Sequence, residues 1–162
     1  MISEPIEVTL LVIEALRGLG ITSVIGGSLA SAVHGMARST LDTDLVADVR
    51  REQAWPLAQA LRPAFYVDEA AIAEAIERQT SFNLIHLETM FKVDVFVAGA
   101  RPFSRQQLAR RRTMVVATEP ERTAAVLSPE DTILAKLDWY RQGGGQSERQ
   151  WRDILGVLKA QA

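Results

Sequence analysis

The chain has no cysteine, so a disulfide, a thiolate zinc site and a cysteine nucleophile are all excluded. It has two histidines, His34 and His86, which rules out a histidine-rich metal centre. Lysine is scarce: Lys92, Lys136 and Lys159 are the three, against fifteen arginines. Arginine suits forked recognition of phosphate, although a GC-rich genome gives the same bias. Aromatics make up 6% of the chain and the net charge is −2, so no overall basic field announces nucleic acid. No apolar run reaches membrane-spanning length and the first residues form no basic leader, so a soluble, cytoplasmic protein with no membrane partner is expected. What is present is 162 residues, 48% of them hydrophobic, enough for one core.

Hydrophobic periodicity orders the chain as helix, then mixed strands and helices, then two helices. Ile6, Leu10, Ile13 and Leu16 recur at helical spacing within 4–18, with Arg17 off that stripe. Strands are expected at 22–25, 41–49, 81–87, 90–97 and 113–117. Helices are expected at 28–34, 51–61, 68–78, 104–110, 128 to about 141, and 147–159. Asp68 and Ser128 read as N-caps, and Pro129 suits a first turn. Pro56 either kinks its helix or marks the true first turn. Gly99–Pro102 and the 119–127 stretch are weak boundaries. The pattern is an α/β (α+β) core over 1–120 and a C-terminal helical segment over 121–162 packed on it.

The chemistry gathers around residues 24–49. A short apolar strand is broken by Gly26 and Gly27, and Ser28 stands where a helix begins. Glycine lets a ligand approach the main chain, and a helix N-terminus offers unpaired N–H groups to a phosphate. Downstream, Asp42 and Asp44 sit two apart on a strand and share a face. Two like charges there invite a cation between them. Asp94 lies mid-strand between Val93 and Val95, with Lys92 on its own face. Two readings stand side by side: a Lys92–Asp94 surface pair, or a third carboxylate of a metal site. In the second, Asp42 and Asp44 bridge two ions that hold a triphosphate, and Asp94 ligates the ion that binds the attacking hydroxyl. All-oxygen ligands favour Mg²⁺. The site is then one for metal-dependent nucleotidyl transfer.

Gly27-Ser28, Asp42-Thr43-Asp44 and Asp94 resemble the motif of the DNA polymerase β-like nucleotidyltransferase superfamily. The longer string Ile-Gly-Gly-Ser-Leu-Ala…His-Gly…Arg-Ser-Thr-Leu-Asp-Thr-Asp is similar to the small bacterial branch that includes the abortive-infection toxins of type IV toxin–antitoxin systems. Asp131 and Lys136 fit that branch's Asp-x4-Lys motif, and Asp153 resembles its last-helix aspartate. The likeness spans roughly residues 20–156. It implies a nucleotidyltransferase-type mixed β-sheet flanked by helices with a C-terminal helical pair. It also implies transfer of a nucleoside monophosphate from an NTP to RNA (such as tRNA), protein or a small molecule. Catalytic and metal-binding roles fall on Asp42, Asp44 and Asp94, with two Mg²⁺ ions for which Mn²⁺ can substitute. Gly26, Gly27, Ser28, Arg38 and Lys136 are the candidates for nucleotide binding, and a cognate antitoxin is an expected partner. Lys136 can equally pair with Asp131 or Asp153. A catalytically inactive binding module with the same fold is the alternative.

The remaining residues have plainer readings. His34 and His86 suit packing or the surface, and Asp48 lies past the site on its strand. Arg110-Arg111-Arg112 is a solvated element end or a steering patch for RNA. Trp139, Tyr140 and Trp151 are expected to join the two C-terminal helices.

Overall fold

The structure, a computed structural model, describes residues 4–34 and 42–162. The first helix, α1 (Glu4–Gly18), buries Ile6, Leu10, Ile13 and Leu16 as the periodicity demands, together with Val8, Thr9 and Val12. It leads through a glycine turn into β1 (Ser23–Gly26), α2 (Gly27–His34) and β2 (Asp42–Ala47). A single 3₁₀ turn at Arg51–Gln53 precedes α3 (Ala54–Leu61). Pro56 lies in the first turn of that helix, where its missing N–H costs no intrahelical bond, so the first-turn reading holds.

The chain continues through β3 (Phe65–Tyr66), α4 (Glu69–Arg78), β4 (Ser81–His86), β5 (Lys92–Val97) and α5 (Pro102–Ala109). It ends with β6 (Arg112–Thr118), β7 (Glu121–Val126), α6 (Pro129–Gln142) and α7 (Glu148–Gln161). The two expected caps are in place, and Ser147 caps the last helix in the same way. Asp68 Oδ1 accepts from Ala70 N and Ala71 N, Ser128 Oγ from Asp131 N, and Ser147 Oγ from Gln150 N.

The described strands form one mixed sheet in the order β3-β4-β5-β2-β1-β7-β6. β2 runs parallel to β5 and β1 parallel to β7, and the other neighbours are antiparallel. One face of the central pair is dry: Thr43, Leu45 and Ala47 of β2 and Val93, Val95 and Val97 of β5 are buried. α1 covers it, and Thr9 Oγ1 donates to Thr43 Oγ1 at 3.0 Å across that contact. By alternation the other face of the pair carries Asp42, Asp44, Lys92 and Asp94.

The structure corrects the sequence reading at three places. Residues 121–126, which fall in the boundary at 119–127 and open the segment expected to be helical, are a strand that pairs with β1 and β6. β3 is also a strand that the sequence did not suggest. Met90, expected to open β5, sits in the turn with φ +62°. The Thr89 hydroxyl holds that turn, within 2.9 Å of His86 Nδ1 and accepting from Phe91 N at 3.2 Å.

Candidate active site

Gly26 ends β1 in register with Asp44, so the strand-to-helix elbow and the acidic strand meet side by side. Gly27 opens α2 with φ +59°, in the left-handed region that favours glycine. A Cβ at Gly27 would lie 2.2 Å from Asp44 Oδ2, so the Asp44 carboxylate occupies the space that the absent side chain leaves. Gly26 is packed more loosely, with the nearest atom to an added Cβ being Leu127 Cδ1 at 3.3 Å. The glycine pair thus has a division of labour: one glycine finishes the strand, and the other lets an acid lie against a helix start.

Asp94 is brought to the same place by β5. Its Cα is the register partner of Asp44 in the parallel β2–β5 pair, and Lys92 is the partner of Asp42. Register partners on adjacent strands project to the same side of the sheet. Asp44 and Asp94 are therefore neighbours on one face although fifty residues separate them in the chain.

Their proton affinities report the crowding. Asp44 is pushed from 3.8 up to about 6, first by burial and then by the charges of Asp94 and Asp42, while Lys136 and Lys92 pull it down. Asp94 is also raised, chiefly by burial with Asp42 adding to it, against the pull of Lys92. Lys92 Nζ lies 3.4 Å from Asp94 Oδ2, the surface pair that the sequence allowed. Asp94 Oδ1 is buried with no hydrogen-bond partner among the described residues. Such an atom costs free energy unless a donor or a cation reaches it.

The three carboxylates have the hard-oxygen chemistry that Mg²⁺ takes, and the buried Asp94 oxygen has no hydrogen-bond partner among the described residues. The side chains as they stand are not gathered into a chelate: among the described residues no group of three or more acids or histidines is arranged to hold a metal ion. Arg38 and the Ser28 side chain lie outside the described residues.

Lys136 occupies the alternative the sequence left open. Its ammonium is buried and donates to Asp153 Oδ2 at 2.9 Å, tying α6 to α7. Its charge still reaches Asp44. Asp131 is completely buried, with Arg110 Nε 3.7 Å away and neither carboxylate oxygen hydrogen-bonded among the described residues. Asp48 does lie beyond the site: Arg105 grips it in a two-pronged bond at 2.8 and 2.9 Å, which holds its carboxyl below the ordinary range.

Both histidines pack. His34 Nε2 donates to the Leu127 carbonyl, and His86 tilts against Phe65 with ring centroids 5.2 Å apart. Tyr140 and Trp151 meet across the last two helices at 5.4 Å, whereas Trp139 is mostly exposed. The contribution of Leu127, whose carbonyl anchors α2 and whose side chain covers Gly26, was not legible. It depends on β7, and nothing in Glu-Arg-Thr-Ala-Ala-Val announces a strand.

No family model and no curated protein matches the sequence. Solved structures do match it by fold. The antibiotic-resistance factor ANT(2'')-Ia has a TM-score of 0.66 at 12% identity, over 100% of this chain and 86% of that one. The lincosamide antibiotic adenylyltransferase LnuA, solved with lincomycin bound, has a TM-score of 0.62 at 13% identity, over 98% of both chains. An antigenic nucleotidyltransferase-like protein from Paracoccidioides brasiliensis has 0.61 at 21% identity, over 94% of this chain and 73% of that one. The mixed sheet with its flanking helices and C-terminal helical pair therefore has the nucleotidyltransferase fold.

Proposed function

We propose that the chain is a Mg²⁺-dependent nucleotidyltransferase that moves a nucleoside monophosphate from an NTP to an acceptor. The observation that carries this reading is the register pairing of Asp44 with Asp94 on one sheet face, beside a glycine against which the Asp44 carboxylate rests. Asp42, Asp44 and Asp94 would hold the divalent ions. When bound, two such ions supply charge stabilisation to the attacking and leaving oxygens of an in-line displacement.

The chain's own groups do the rest. Asp44 and Asp42 present negative charge that draws the cations to the start of β2. Asp94, raised by burial, is placed to accept the proton of an acceptor hydroxyl. The start of α2 at Gly27 offers backbone N–H groups to the triphosphate. Lys136 contributes positive charge felt at Asp44. The 1–120 segment then acts as the catalytic core and 121–162 as the segment packed on it, with β7 anchoring the latter in the sheet.

The acceptor is a nucleophilic hydroxyl on RNA such as tRNA, on a protein or on a small molecule. The adenylyltransferase named above acts on an antibiotic, which makes small hydroxylated molecules the first acceptors to try. A toxin role with a cognate antitoxin, in the cytoplasm, remains part of the proposal through the sequence resemblance. No helix among the described residues is long and apolar enough to cross a membrane.

The test is transfer of label from each α-labelled NTP in Mg²⁺ to lincosamide, aminoglycoside, RNA and protein acceptors, with Asp44→Ala as the control. Label that requires both Mg²⁺ and Asp44 supports the proposal, and no transfer to any acceptor contradicts it. One observation favours the inactive binding module instead: Lys92 already neutralises Asp94. Calorimetry that finds neither metal nor nucleotide binding would decide for that reading. Growth arrest on expression, relieved by a neighbouring gene product, separates a toxin from a housekeeping enzyme.

A further inference from the structure

A cavity of about 380 Å³ opens at the other end of β1 from the acids, between the C-terminal half of α1 and the outer strands β6 and β7. Its lining includes Arg17 and Arg111 together with Thr22, Ser23, Thr113 and Thr123. It includes no Asp or Glu and shares no residue with the Gly27, Asp44 and Asp94 cluster. Ser23 begins β1 and Gly26 ends it, which sets the cavity about 10 Å from the elbow at strand rise.

The charges around it are sorted unequally. Three neighbouring arginines are taken: Arg110 by Asp131, Arg112 by Glu130, and Arg122 by Glu14. The two that line the cavity have no acid partner among the described residues, and Arg111 spends one nitrogen on the Leu108 carbonyl at 2.6 Å. A chain with a net charge of −2 thus keeps a concave, locally positive site. Guanidinium groups match the oxygens of a phosphate, and the volume is that of a small ligand. Ile13, Ile21 and Ala124 give the cavity an apolar floor against which a non-phosphate part can rest.

From this arrangement we infer that the cavity is a second ligand site that binds a phosphate group, separate from the acidic site and free of metal. The phosphate comes either from a small phosphorylated molecule or from the backbone of an RNA strand. Arg17 and Arg111 supply the positive charge that holds it. The inference stands independently of the proposed transferase activity.

The experiment is a backbone amide NMR titration of the full chain with inorganic phosphate in EDTA, so that no metal-held phosphate contributes. Saturable shifts are expected at Thr22, Ser23, Thr113 and Thr123. The variants Arg17→Gln and Arg111→Gln should each weaken binding tenfold or more while keeping the wild-type spectrum elsewhere, and Arg17→Lys should recover only part of the loss. A short oligo-uridylate added to the phosphate-loaded protein distinguishes the sources. Competition at the same amides identifies an RNA backbone, and its absence identifies a small phosphorylated ligand. No saturable shift at these residues, or equal affinity in wild type and both glutamine variants, overturns the inference.

Discussion

Asp44→Asn should make the protein more stable at neutral pH while destroying its chemistry. Asp44 is half-buried beside two other carboxylates, and its pKa stands at about 6 against 3.8 in an ordinary setting. A difference of that size corresponds to about 3 kcal/mol between the protonation states. Some water still reaches the group, so the realised effect is about 2 kcal/mol. The sign follows from proton counting. Between pH 4 and 6 the folded protein binds more protons at Asp44 than the unfolded chain does, so stability falls as pH rises through that window. Above it the cost is fully present, and below it the cost is gone. The neutral amide removes the cost, so Asp44→Asn should gain about 2 kcal/mol at pH 7.5, or roughly 4–8 °C in Tm, and nothing near pH 4. Urea denaturation at the two pH values measures this. Mg²⁺ should raise the stability of the wild-type protein at pH 7.5 and leave Asp44→Asn unchanged. A variant that is destabilised at pH 7.5, or equally shifted at both pH values, would refute the claim that burial, helped by like-charge crowding, penalises the ionised form of this residue.

Gly27→Ala should lose at least about 1–2 kcal/mol for its left-handed backbone, and should abolish transfer because the new methyl displaces the Asp44 carboxylate. Denaturation and label transfer measured together separate those two effects. Lys136→Met removes the buried ammonium that bonds Asp153 Oδ2 and should cost about 3–5 kcal/mol, most of which Lys136→Met/Asp153→Leu should restore. Tm values of the single and double variants read this directly. Ser128→Ala removes the cap on α6 and should cost about 1 kcal/mol in urea denaturation.

The legible parts of the sequence were those with a strong local signal. Asp68, Ser128 and Ser147 announced helix starts because a short polar side chain before an apolar run has one common use. The parity of Asp42 and Asp44 and of Lys92 and Asp94 was readable because strand side chains alternate. What parity alone does not reveal is register between strands. Only the parallel pairing of β2 with β5, made across two intervening helices and two intervening strands, sets Asp44 against Asp94. The same limit hid β7, whose alanine and arginine content has low strand preference and which is held by neighbours on both sides. Lys136 shows the limit for charge: a helix position can be inferred, but its choice between Asp153 and a ligand depends on how α7 folds back.

The most direct test is a crystal structure of the chain soaked with an NTP and Mn²⁺, read by the anomalous signal of the metal. The account predicts manganese bound by Asp42, Asp44 and Asp94 together, with the triphosphate reaching the start of α2. Manganese absent from that face of the sheet, with nucleotide bound elsewhere or not at all, would contradict it.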